Sequence, residues 1–115
     1  MTKQLTIFQE ASREDALALV RSATNISQAR QNNDKAGLTI ALDENLQLWT
    51  AIQTLVSRKE HPMCDTAKSN LIKLANFVVA KTLQDGCDAT DETLDTLENM
   101  NLQIAEGLLE SRDAA

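Results

Sequence analysis

The chain contains a single histidine, and it stands close to one of the two cysteines. His61 and Cys64 have a His-x-x-Cys spacing, which can supply two ligands to a metal ion. A structural zinc site needs four ligands, and the other cysteine, Cys87, lies 23 residues further along the chain. We therefore expect no metal site here. A lone histidine also lacks partners for an activated nucleophile, so we expect no catalytic residues and no cofactor.

Acidic residues crowd one short stretch of the second half of the chain. They are Asp85, Asp88, Asp91, Glu92 and Asp95. A calcium loop needs carboxylates at alternate positions, a central glycine and a terminal glutamate, and this stretch does not supply that pattern. Acids at the start of a helix interact favourably with its positive end, so we interpret the cluster, together with Thr90, as helix capping and a solvated helix start. The sequence predicts a protein that is not an enzyme.

Acids outnumber bases 17 to 11 over the 115 residues, and the net charge of −6 is unevenly distributed. Residues 85–115 contain nine acids and one base, which gives −8, whereas residues 1–84 carry +2. Such a chain is poorly suited to nucleic acid or to an anionic membrane surface. No apolar run reaches the length of a membrane span, and the N-terminus does not resemble a secretory signal, so we expect a cytoplasmic protein. The acidic part is then a solvated face or a surface that steers a basic partner.

Three breaks divide the chain evenly. Gly37, Pro62 and Gly86 lie 25 and 24 residues apart, each within a polar stretch. Apolar residues between the breaks recur at helical spacing and do not alternate as in strands. We therefore predict a single all-α domain, an antiparallel bundle of about four helices with short connections. The predicted elements are a leader over 1–11 and helices over about 12–32, 38–59, 65–85 and 90–110.

The apolar stripes differ in strength between the helices. The fourth segment is clearest and the second has the broadest face, whereas the first has only a thin stripe of Leu17, Val20, Ala23 and Ile26 and is predicted to be the weakest. Asn45 in the second segment and Asn101 in the fourth are polar members of apolar stripes. A buried asparagine needs hydrogen-bond partners, so we expect this pair to bond each other or a nearby backbone and to fix the helix register.

Three short patterns in the chain carry a resemblance to a known family. Segment two contains Asn45-x-x-Leu48-Trp49-Thr50, segment three reads Leu-Ile-Lys-Leu-Ala-Asn-Phe-Val over 71–78, and segment four contains Asn101-x-x-Ile104-x-x-Gly107-Leu108. With Pro62 between the first two, this order and spacing resembles the flagellar protein FlaF family of alphaproteobacteria. The resemblance covers about residues 41–109, and the first forty residues are similar only loosely.

The resemblance implies a role in flagellum assembly. FlaF-like proteins are needed for flagellin production and export, are thought to bind flagellin before secretion, and act beside the regulator FlbT. It therefore implies a non-enzymatic flagellin chaperone or assembly regulator, with flagellin as partner and FlbT as a second candidate. Flagellin termini are amphipathic helices, and a groove between helices can cover such a stripe.

We expect flagellin to dock near the first two helices, with Leu48, Trp49 and Ile52 lining the floor of the groove. The simpler interpretation is that these three side chains are buried core. Two other functions remain open at this point. One is a helical adaptor, such as an anti-sigma-type regulator or a toxin–antitoxin partner, that contacts its target through the acidic helix. The other is a self-associating bundle that buries an apolar stripe in a homodimer.

Overall fold

The computed structural model describes residues 2–59 and 63–114, with side chains over 13–59 and 63–109. The helices are α1 (Thr2–Gln31), α2 (Lys35–Val56), α3 (Asp65–Asp85) and α4 (Asp91–Ala114), and a 3₁₀ turn (Gly86–Asp88) joins the last two. Strands do not occur in the described ranges. The predicted all-α bundle of four helices is confirmed.

The first helix is longer than the sequence indicates. α1 begins at Thr2, so the expected leader over 1–11 is part of the helix from Thr2 onward. Neither glycine nor proline occurs before Gly37, and the chain therefore contains no strong helix breaker ahead of the first turn.

The buried face of α1 also differs from the predicted stripe. Ala23 and Ile26 are buried as expected, but Leu17 and Val20 are 49% and 38% exposed. Ala16 and Leu19 take their place in the core. Most of the core side chains of α1 are small, which explains why its apolar stripe is thin. Small side chains allow a close approach to neighbouring helices, and α1 lies between α2 and α4, in close backbone contact with both.

Particular side chains fix the helix ends. Asp34 precedes α2 and accepts a hydrogen bond from the Gly37 amide at 2.9 Å, as an N-cap does. A Cβ atom on Gly37 would lie 2.4 Å from the Asp34 carboxylate, so a larger residue there would require the capping side chain to shift. Gly86 follows α3 with φ of +53°, a conformation that favours glycine. Thr90 starts α4, since its hydroxyl accepts from the Thr93 amide at 3.1 Å.

The third helix is attached chiefly to the second. The Gln53 amide of α2 donates to Asn76 of α3 at 2.8 Å, and Lys68 donates to the Arg58 carbonyl at 2.8 Å. α3 makes its close backbone contacts with α2 and the 3₁₀ turn, and within the described ranges no comparable approach joins it to α4. The apolar core is continuous all the same, because Leu71, Ala75 and Val78 join the cluster formed by the other helices.

Candidate functional site

The two predicted asparagines meet inside the bundle. Asn45 of α2 and Asn101 of α4 are both 0% exposed. The Asn101 side-chain amide donates to Asn45 Oδ1 at 2.8 Å and to the Leu19 carbonyl of α1 at 3.1 Å. The polar pair is thus joined directly and is also anchored to a third helix.

Two further side chains complete this network. Trp49 Nε1 donates to Asn101 Oδ1 at 2.8 Å, and the Ser22 hydroxyl of α1 donates to Asn45 Oδ1 at 2.9 Å. Ser22 is not among the residues predicted from the sequence, although it is the polar member of the α1 stripe between Leu19 and Ile26. The same signal that marks the two asparagines also marks this serine. We call Ser22, Asn45, Trp49 and Asn101 the polar network.

The polar network links three helices at one level of the bundle. Each hydrogen bond adds about 1 kcal/mol net, but a buried group left without its partner costs about 1–3 kcal/mol. Sliding any of the three helices by one turn breaks several of these bonds at once. In the described part of the chain Asn45 Nδ2 has no hydrogen-bond partner, so the network leaves the donor groups of this side chain unused. The role of the network is to hold α1, α2 and α4 in register.

The three residues expected at the floor of a binding groove lie mostly inside the protein. Trp49 is 0% and Ile52 is 5% exposed, and Leu48 is half-buried against the core. Trp49 and Ile52 therefore do not line an open groove between the first two helices in this conformation. A partner would reach them only by displacing a helix, which would break the bond between Trp49 and Asn101.

An ion-pair cluster ties the end of α1 to the start of α4. Arg30 pairs with Asp95 at 2.8 Å, with Asp91 at 3.4 Å and with Glu98. The bond to Asp95 and then that to Glu98 raise the pKa of the Arg30 guanidinium above its ordinary value, against the opposing effect of burial. The guanidinium therefore stays charged and holds the two helix ends together.

The acidic stretch is thus only partly explained by capping. Asp91 and Asp95 are predicted as capping residues, but both bond Arg30 across the helix pair, while Thr90 makes the cap. Arg30 and Glu98 are absent from the residues predicted from the sequence. The sequence does contain a signal for them. The acids at 91, 95 and 98 share one face of a helix, and Arg30 lies four residues after Ile26, on the same face of α1 as that apolar residue.

The cysteines lie at opposite ends of a helix. Cys64 is exposed at the N-cap of α3, and Cys87 is half-buried in the 3₁₀ turn after its last residue. The 21-residue helix between them spans about 30 Å, far beyond disulfide distance. His61 and Pro62 fall outside the described residues. Over 13–59 and 63–109 the structure contains no group of three or more side chains suited to a metal ion.

Large apolar side chains are exposed at several places on the surface. Over residues 13–59 and 63–109 there are six of them, namely Leu17, Val20, Ile40, Phe77, Leu83 and Leu102. None of the helices in the described part of the chain combines the length and the apolar character that a membrane span requires.

Comparison with known families decides the identity. A sequence model of the flagellar protein FlaF matches residues 2–108. The chain belongs to the FlaF family. The match also includes the first forty residues, which the three patterns do not cover. Searches of curated proteins and of solved structures gave no match.

The FlaF patterns of this chain now have a structural meaning. Asn45 and Trp49 from the first pattern and Asn101 from the last are three of the four members of the polar network. The residues that carry the resemblance therefore hold the helices in register. The patterns mark the scaffold of the bundle, and the contact surface for a partner must be sought on the outside.

Proposed function

We propose that this FlaF-family chain is a non-enzymatic flagellin-binding chaperone and assembly regulator that acts in the cytoplasm. The observation that carries the proposal is the family match over residues 2–108, which makes the chain a flagellar protein. Flagellin is the flagellar component whose unassembled terminal helices leave apolar stripes uncovered, and a helical bundle is well suited to cover such stripes.

Two features of the structure support this proposal. The first is a rigid interior, since the polar network and the Arg30 ion pairs fix α1, α2 and α4. The second is apolar surface on that scaffold, including Phe77 at 37% exposed and Leu83 at 75% exposed on α3. A partner helix that buries such side chains gains roughly 25 cal/mol per Å² of apolar area.

Light scattering coupled to size-exclusion chromatography tests the proposal. The full chain is run alone, with monomeric flagellin from the same bacterium, and with flagellin from which both terminal helices have been removed. We expect a shared peak of defined stoichiometry with intact flagellin and separate peaks with the truncated form. Separate peaks with intact flagellin at concentrations well above micromolar would overturn direct chaperoning.

We also propose FlbT as a second partner, on the strength of family membership alone. The same column with FlbT added to the flagellin complex tests this. A larger complex is expected, and an unchanged mass would overturn direct contact with FlbT.

A further inference from the structure

The acids of α4 carry more charge than their partners in the described chain neutralise. Three carboxylates bond the single guanidinium of Arg30, which leaves the cluster with a net negative charge; they belong to Asp91, Asp95 and Glu98. The side chains of Asp91 and Asp95 are 94% and 64% exposed. Glu106 is also exposed, about two turns after Glu98 on the same side of α4. These negative charges are therefore open to a partner.

A surface groove runs between α1 and α4 past these acids. One part of it is lined by Ser27, Gln31, Asp91 and Asp95. The adjoining part shares Ser27 and Gln31 and reaches Leu102. We call the two parts together the α1–α4 groove. From Asp91 to Leu102 it follows α4 for about 16 Å, or three helical turns, so a short helix of another molecule can lie along it.

The end of the α1–α4 groove at Leu102 is apolar. Leu102 is 44% exposed and lines the groove together with Thr24 of α1. Val20 is 38% exposed and lies one turn before Thr24, whose hydroxyl bonds its carbonyl. Asn101 donates to the Leu19 carbonyl, so the next residue of each helix, Leu102 and Val20, lies at the same level of the bundle. The two side chains form an exposed apolar patch next to the acids.

The charge of the α1–α4 groove decides which occupant fits it. Among the described side chains that line it, Arg30 is the only base, and three acids already share it. A second copy bound symmetrically through this groove would bring acids against acids, and nucleic acid would be repelled in the same way. A helix that has an apolar stripe with lysine or arginine beside it complements both the apolar patch and the acids.

We propose that the α1–α4 groove binds a basic amphipathic helix of a second protein. The inference goes beyond flagellin binding, because it concerns a different face of the bundle from the exposed side chains of α3. Apolar residues of the bound helix cover Val20 and Leu102, and its bases pair with Asp91, Asp95 and Glu106. The contact is short and its charges are exposed, so the complex is expected to be weak and sensitive to salt.

The test uses Leu102→Lys, with Leu83→Lys as the matched control. Both variants replace an exposed leucine by lysine and change the net charge equally, one in the α1–α4 groove and one on α3. The probe is a synthetic helical peptide of about 18 residues with a leucine stripe flanked by lysines. Calorimetric titration is expected to show at least about tenfold weaker binding for Leu102→Lys, because an apolar contact is lost and like charges are brought together. Leu83→Lys is expected to bind within about twofold.

Two measurements on the unmodified chain keep the test independent of how Leu102→Lys folds. A second peptide, with glutamate in place of every lysine, is expected to bind at least about tenfold more weakly than the lysine peptide. Amide chemical shifts on addition of the lysine peptide are expected to change most over residues 20–31 and 91–106.

Several results would overturn the proposal. Equal weakening in the two lysine variants would show only a general attraction to an acidic chain. No binding at up to about 1 mM lysine peptide, equal affinity for the two peptides, or shift changes centred elsewhere would each exclude the groove as its site. A dimer of the chain alone that Leu102→Lys dissociates and Leu83→Lys does not would identify the occupant as a second copy.

Monomeric flagellin as a second ligand separates this proposal from flagellin binding. Its affinity is expected to fall with Leu83→Lys and to stay unchanged with Leu102→Lys. Flagellin affinity that falls with Leu102→Lys alone would make flagellin the occupant of the groove and would overturn the assignment to a second protein.

Discussion

α1 and α3 are attached to the bundle in different ways. α1 contributes Ser22 to the polar network, accepts a bond from Asn101 at the Leu19 carbonyl and places Arg30 in three ion pairs, so directional bonds fix its position on both neighbours. In the described part of the chain, α3 is held by three buried side chains and by surface hydrogen bonds to Gln53 of α2 and to the Arg58 carbonyl just after α2. The position of α1 is therefore fixed by the geometry of directional bonds, whereas that of α3 is fixed mainly by apolar burial. This difference leaves α3 freer to adapt to a partner.

Removing the centre of the polar network is expected to have the largest effect. Asn101→Ala leaves the Trp49 indole N–H and the Leu19 carbonyl buried without this partner. We expect a loss of about 3 kcal/mol in the free energy of unfolding, measured by urea denaturation. Asn76→Ala on α3 removes an exposed bond and is expected to cost less than about 0.5 kcal/mol. Equal losses in the two variants would contradict the contrast between the helices.

Native-state hydrogen exchange compares the two helices directly. Local opening is easier where fewer buried contacts hold an element, so amides in the centre of α3 are expected to exchange with an opening free energy about 2 kcal/mol below those of α1 over residues 16–30. The measurement is made on the full chain without partner. An α3 that exchanges only by global unfolding, together with α1, would show that the two helices are equally fixed.

The ion pairs of Arg30 give a smaller effect that is sensitive to salt. A double-mutant cycle between Arg30→Gln and Glu98→Gln is expected to give a coupling of about 1 kcal/mol, because both side chains are largely covered. The matched cycle with Asp91→Asn is expected to give almost none, since the Asp91 side chain is 94% exposed. Both couplings are expected to shrink at about 1 M salt. A larger coupling to Asp91 than to Glu98 would contradict this order.

Asp15 gives the smallest expected effect. Burial, and secondarily Glu14, raise the pKa of the Asp15 carboxyl, so the folded state binds its proton more tightly than the unfolded state. The resulting contribution favours folding at acid pH and is lost as pH rises through the folded-state pKa. Asp15→Asn is therefore expected to stabilise the protein at pH 7 by less than about 0.5 kcal/mol, since water screens a half-buried group. Melting curves at pH 7 and at about pH 3 test this, and a gain that persists at the lower pH would contradict it.

The sequence predicts the fold well and the site only in part. The polar stretch before Gly37 forms the turn between α1 and α2, although Gly37 itself lies in the first turn of α2, and Gly86 follows the end of α3. Asn45 and Asn101 stand out as polar members of apolar stripes, so the turns and this pair can be read from the chain. The predicted face of α1 is wrong because Leu17 and Val20 are more apolar than Ala16, whereas burial there depends on how closely neighbouring helices approach. The sequence shows that the acids 91, 95 and 98 share one helix face, but the ion pairs of Arg30 join residues more than 60 positions apart, and one sequence does not show that these acids pair with Arg30.

The surface for a partner could not be located from the apolar patterns. Trp49 and Ile52 have the residue types of a binding floor, and in the folded chain they are core. Gly107 is visible in the sequence as an unfavourable residue in a helix. In the structure a Cβ atom built on it would meet no neighbour within 4 Å in the described chain, so packing within the described bundle does not account for it.

α1, α2 and α4 form a fixed scaffold, and on our proposal flagellin covers exposed apolar side chains such as Phe77 and Leu83 on α3. Hydrogen exchange with and without saturating monomeric flagellin tests this most directly. We expect added protection in α3 over residues 70–83, with no change in α2 over residues 41–52. Added protection confined to α1 and α2, or none anywhere while flagellin is bound, would contradict it.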